Sequence, residues 1–171
     1  MNFLLDASGV NVKAIGNNNP WIDSDEAEET IIIQAGASTE TISLGSSNWT
    51  LDDNTTPTQA TLTNSVATML FEKNDYSNSI SLCFQSGHIR LYSGTRLTIT
   101  PASGKKISKL VFTATSDSYA SALKNSAWTN ATATSSSSTV TVLVTNSTSP
   151  VVVLLNAQSR CTQVVVTYES N

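Results

Sequence analysis

Apolar and polar residues alternate with a period of two through most of the chain, as in His88-Ile89-Arg90-Leu91-Tyr92 and Leu97-Thr98-Ile99-Thr100. Successive side chains of an extended strand point to opposite sides, so such a run buries one complete face only as a strand; a helix needs a period near 3.6. The runs that obey the rule are Thr30–Gln34, Glu40–Leu44, Gln59–Thr63, Thr68–Glu72, Ser79–Phe84, His88–Tyr92, Thr95–Thr100, Ile107–Thr115, Thr139–Thr145, Val151–Leu155 and Gln163–Tyr168. Between them, Ser86-Gly87, Ser93-Gly94 and Ser103-Gly104 can supply positive φ, and Pro57, Pro101 and Pro150 end or edge their strands. The Ser93-Gly94 pair predicts a hairpin, and Ser135–Ser138 a second hairpin tip, between Ala131–Thr134 and Val140–Val144. Many short strands without a long helical pattern predict an all-β fold, an antiparallel β-sandwich of jelly-roll-like form in a single domain.

A surface must cover that sandwich, and here it is neutral. Ser, Thr and Asn make up 65 of the 171 residues, while Asp, Glu, Lys and Arg make up only 13%. Nine Lys and Arg against 13 Asp and Glu, a net charge of -4, provide no basic footprint for a phosphate backbone, so nucleic acid is not an expected partner. No apolar run approaches the ~18 residues of a membrane span, and no membrane insertion is expected. The start, Met1-Asn2-Phe3-Leu4-Leu5-Asp6, has no basic stretch and only three apolar residues in a row before an acid, so no signal peptide is read there.

With one His and two Cys, few metal or nucleophile constellations can be assembled, and neither metal nor cofactor is expected. Cys83 and Cys161 either bury as two separate small apolar side chains, the favoured reading, or close a disulfide; their spacing fits no zinc pattern. The acids Asp23, Asp25, Glu26, Glu28 and Glu29 follow Asn17–Pro20 and one expected helical turn opened by Pro20; they read as a solvated face before a calcium site. Asp52 and Asp53 form a second acidic pair in a loop, and no carboxylate carries a catalytic signature, so the chain is expected not to be an enzyme. Four N-x-[ST] matches are about the number that 15 Asn and 50 Ser or Thr produce by chance, and they carry no information.

Two sets of residues suit binding. Trp21, Trp49 and Trp128 each lie among amide and hydroxyl residues, the combination that stacks on a sugar ring and hydrogen-bonds its hydroxyls; the alternative for each is a place in or at the edge of the core. The strip His88, Arg90 and Tyr92, with Arg96 on the next strand, forms a second candidate face, against the alternative of an ordinary polar surface.

From about residue 61 to 168 the chain resembles a β-sandwich module of surface and secreted proteins of gut Bacteroidetes. The likeness is carried by His88-Ile89-Arg90-Leu91-Tyr92-Ser93-Gly94, Leu97-Thr98-Ile99-Thr100, Gly104-Lys105-Lys106-Ile107-Ser108-Lys109-Leu110-Val111-Phe112 and the final stretch from Ala157 to Tyr168. Phages that infect those bacteria carry similar modules on head and tail surfaces, where lysis replaces secretion. The resemblance implies a non-catalytic structural or adhesive protein of a phage virion surface, a capsid decoration or fibre component whose partners are capsid or other virion proteins. Residues 1–60 would then be an N-terminal arm with first strands, a docking segment, and residues 61–171 the sandwich body. The alternative it implies is a secreted carbohydrate-binding module, extracellular or on the cell surface, with cell-surface or plant polysaccharide as partner.

Overall fold

The computed structural model describes residues 36–170, in which two antiparallel sheets pack face to face as a β-sandwich. In chain order the strands are β1 (Ser38–Ser43), β2 (Thr50–Leu51), β3 (Gln59–Thr63), β4 (Ala67–Glu72), β5 (Phe84–Gln85), β6 (His88–Leu91), β7 (Arg96–Pro101) and β8 (Lys105–Ala114). After helix α1 (Asp117–Lys124) come β9 (Ala127–Thr129), β10 (Ala131–Ser136), β11 (Thr139–Val144), β12 (Val151–Leu154) and β13 (Ser159–Ser170). The first sheet runs β10-β11-β8-β13-β6-β5, with β1 also paired to β13; the second runs β2-β3-β4-β7-β12-β9. The expected strand Thr30–Gln34, the turn at Pro20, the acidic run and Trp21 lie outside the described residues.

Alternation drives this arrangement. In β6, Ile89 and Leu91 are fully buried while His88 and Arg90 are half-exposed; in β4, Ala67, Met69 and Phe71 turn inward. The inward residues of both sheets form one core, whose largest fully buried side chains include Phe71 and Phe112. Asn64 shapes the β3–β4 turn by accepting the N–H groups of Val66 and Ala67 with its side-chain oxygen, both at 2.9 Å. The serine run is a hairpin tip as expected: Ser136 and Thr139 are Cα partners, and Ser137 takes the positive φ of 48° that the tight turn needs.

Two expectations are corrected. The Ser93-Gly94 pair is an arch between the sheets and not a hairpin, because β6 pairs with β13 and β5 while β7 pairs with β4 and β12. Gly94 at φ 84° turns the chain there, its N–H donating to the Leu155 carbonyl at 2.8 Å, and an added Cβ would meet the Asp75 carbonyl carbon at 3.1 Å. Ser79–Phe84 is a 3₁₀ turn over Ile80–Cys83 and not a strand: the Ser79 hydroxyl accepts the Ser81 N–H, and the i, i+3 spacing buries Ile80 and Cys83 together.

Residues before 61 contribute first strands to the sandwich. Strand β1 pairs with β13 along its whole length, and Ile42, Leu44 and Trp49 enter the core. Helix α1 has a local cause in the Ser116 hydroxyl, which accepts the Tyr119 N–H at 3.3 Å and starts the helix, with Asp117 in its first turn and Lys124 in its last. Ala120 and Leu123 bury its inner side.

Candidate functional site

The outward side of the first sheet is built of cross-strand rows. The register places Thr134, Thr141, Val111, Val165 and Thr41 in one row across β10, β11, β8, β13 and β1. A second row on one side of it holds Thr132, Leu143, Lys109, Thr167 and Thr39, and a third on the other side holds Ser136, Thr139, Thr113, Gln163 and Ser43. At about 4.8 Å per strand, five strands make a face roughly 19 Å wide. It mixes hydroxyl and methyl groups, carries one charged residue, Lys109, and displays Leu143 at 54% exposure.

Beyond β13 the same sheet changes character. Arg160 of β13 is the direct cross-strand partner of Arg90 of β6, and His88 lies two residues along β6 on the same side. The guanidinium carbon of Arg160 stands 4.9 Å from the centroid of the Tyr119 ring, a cation–π contact that orients it. Burial, then the positive charges of Arg90 and Arg160, hold the His88 imidazole below its usual pKa. Among the described residues, the buried side-chain nitrogens and oxygens without a hydrogen-bond partner are His88 Nε2, Arg90 Nε and Arg160 Nε. All three belong to this cluster.

The other candidates sit elsewhere. Arg96 is not beside Arg90; it belongs to the second sheet, where it grips Glu72 through Nε at 2.9 Å and Nη2 at 3.0 Å. Tyr92 leaves the strip because β6 ends at Leu91; its ring stacks on Tyr76 at 4.9 Å and packs against the core.

Trp49 is a core residue, 8% exposed, set edge-on to Phe71 and tilted against Phe84, and its indole N–H donates to the Leu44 carbonyl at 3.3 Å. Trp128 is half-buried, 6.2 Å from the Phe112 ring, and its N–H donates to the Leu123 carbonyl at 3.1 Å. Neither indole N–H is free for a sugar hydroxyl.

Cys83 and Cys161 are free, buried thiols, not a disulfide. Cys161 lies in β13 and Cys83 just before β5, with β6 between those strands. Backbones two strands apart lie about 10 Å from one another, beyond the reach of a disulfide. Burial pushes both thiols up to about 12, so neither is a ready nucleophile.

Asp52 and Asp53 order their own loop. The Asp52 carboxylate accepts the Thr58 hydroxyl at 2.7 Å and the Thr58 and Gln59 N–H groups, and Asp53 accepts the Thr55 and Thr56 N–H groups. Those hydrogen bonds hold both carboxyls below their ordinary pKa. A shallow cleft of about 260 Å³ opens between β1 and β3, lined by Thr41, Ser43, Asn48 and Asn64 among others. Among the described residues no three of His, Cys, Asp and Glu cluster as metal ligands, and no helix is long and apolar enough to cross a membrane.

Arg160 is the residue that sequence reasoning missed. It lies in the stretch Ser159-Arg160-Cys161-Thr162, which shows the alternation, yet nothing local says that it faces Arg90. No protein-family model, no curated protein and no solved structure matches the chain.

Proposed function

We propose that the protein is a non-catalytic structural or adhesive component of a phage virion surface, a capsid decoration or fibre protein, working through the outer face of its first sheet. The observation that carries the reading is the set of three five-strand rows, with Thr, Val and Ser at most positions and a single charge at Lys109. A broad hydroxyl- and methyl-bearing face of this kind complements another protein surface through area and matched hydroxyls, without a deep pocket. The likeness of residues 61–168 to modules of phage head and tail surfaces supplies the setting.

The secreted carbohydrate-binding alternative needs an open aromatic platform. Of the two tryptophans among the described residues, Trp49 is committed to the core and Trp128 presents only part of its ring, which favours the surface-packing reading over that one.

Immunogold labelling of density-purified particles with antibodies to the chain tests the proposal. Label on the outside of particles is the expected result, lost from particles that carry Val111→Lys with Val165→Lys. Label confined to bacterial surfaces or to the particle-free supernatant would overturn it and favour the secreted module.

A further inference from the structure

We propose that His88, Arg90 and Arg160, at the β6–β13 end of the first sheet, form a binding site for the anionic groups of an acidic polysaccharide. The ligand chemistry is an oxyanion, carboxylate or sulfate ester, carried at intervals on a neutral polyol chain. The proposal does not depend on the virion assignment.

Two arginines directly opposite each other across an antiparallel ladder have Cα atoms about 4.5–5.5 Å apart, and like charges there repel. The ordinary remedy, a carboxylate between them, is absent among the described residues, where the ion pair is Arg96 with Glu72. The three unpartnered buried nitrogens of the described residues belong to Arg90, its cross-strand partner Arg160 and His88 two residues along β6. Tyr119 already orients the Arg160 guanidinium, so part of the cost of fixing a flexible cation has been met before a ligand arrives. An oxyanion between Arg90 and Arg160 would relieve the repulsion and accept hydrogen bonds from both forks, the geometry for which arginine is suited.

The surroundings select the carrier. Gln85 is the cross-strand partner of His88, and Thr162 and Gln163 continue β13 beyond Arg160, so neutral hydrogen-bonding groups flank the cations. With His88 held below its usual pKa, Arg90 and Arg160 are the cations of the site at neutral pH, and a chain of net charge -4 offers no wider basic footprint for a nucleic-acid backbone. That same negative charge means general attraction to polyanions does not explain retention; a local site has to.

The test is affinity electrophoresis of the full chain through gels containing polygalacturonate, dextran sulfate or neutral dextran, with single-stranded DNA as a further arm. Retardation by polygalacturonate or dextran sulfate and not by dextran is expected, and which of the two is stronger assigns the carboxylate or the sulfate. Arg90→Gln and Arg160→Gln each weaken it about tenfold, as expected for loss of one charge-assisted contact. Arg160→Lys keeps the charge without the fork and recovers only part, while Lys73→Gln, just past β4 of the second sheet, leaves retardation unchanged. Thermal melts establish that each variant is folded, and removing one of two facing arginines should not lower Tm. Absence of retardation by either polyanion, equal retardation of the folded arginine variants, or stronger retardation by DNA would each overturn the proposal.

Discussion

Arg96 in the second sheet and Arg90 in the first are the same residue in the same kind of place, an outward position on a short strand with a charged residue directly across the ladder. Opposite Arg96 stands Glu72, and the two close a bidentate pair at 2.9 and 3.0 Å. Opposite Arg90 stands Arg160, and the Nε of each is buried without a hydrogen-bond partner. One sheet has neutralised its arginine internally, whereas the other has placed two cations together and added His88. An outward charge in an alternating strand therefore carries no functional meaning until its cross-strand neighbour is known.

The largest expected effect tests whether the two sites stand on equivalent ground. Ile89 beneath the Arg90 strand and Leu97 beneath the Arg96 strand are both essentially buried, so Ile89→Ala and Leu97→Ala should each cost about 2–5 kcal/mol in urea unfolding. A loss below about 1 kcal/mol at one of them would mean that the two strands differ in packing and not only in surface charge.

Exchanging the charge patterns comes next. Glu72→Arg gives the second sheet a like-charged pair and should destabilise by about 1 kcal/mol at most, since the Arg96 side chain is 42% exposed and solvent screens it. Arg160→Glu gives the first sheet an opposite-charge pair and should stabilise by a similar amount while abolishing polyanion retention. If Arg160→Glu lowered stability, Arg90 and Arg160 would not be repelling each other in the folded protein.

The smallest effect lies in pH. The folded His88 pKa is held below its ordinary 6.5, first by burial and then by Arg90 and Arg160, so the folded state takes up a proton less readily than the unfolded chain. This contribution is fully present above pH 6.5 and is lost as pH falls below it towards the folded pKa. His88→Gln should flatten that part of the stability–pH curve, as should Arg160→Gln in part. Arg96→Gln should leave the slope as it is, because Arg96 lies on the other sheet.

Much of the fold was legible. Gln59–Thr63 matches β3 to the residue, and the other alternating runs of the described region fall within a few residues of their strands, except Ser79–Phe84. There β-branched and apolar content suggested a strand, but the Ser79 hydroxyl offered the backbone a local alternative. The site was less legible. Trp49 and Trp128 sit in polar sequence surroundings, yet their neighbours in space are Phe71, Phe84 and Phe112, contributed by other strands. Of the strip, His88 and Arg90 share one side of β6, Tyr92 turns away to stack on Tyr76, and Arg160 rather than Arg96 stands opposite Arg90.

What the sequence determined by itself is the period of two, and with it which side of each strand is buried, because that follows from covalent geometry within a few residues. Only the tertiary structure decided that β6 and β7 part at Gly94 into different sheets and that Arg90 meets Arg160. Strand partnership is a competition among all exposed edges and faces of the chain, settled by burial of the whole core, and no local run of residues contains its outcome.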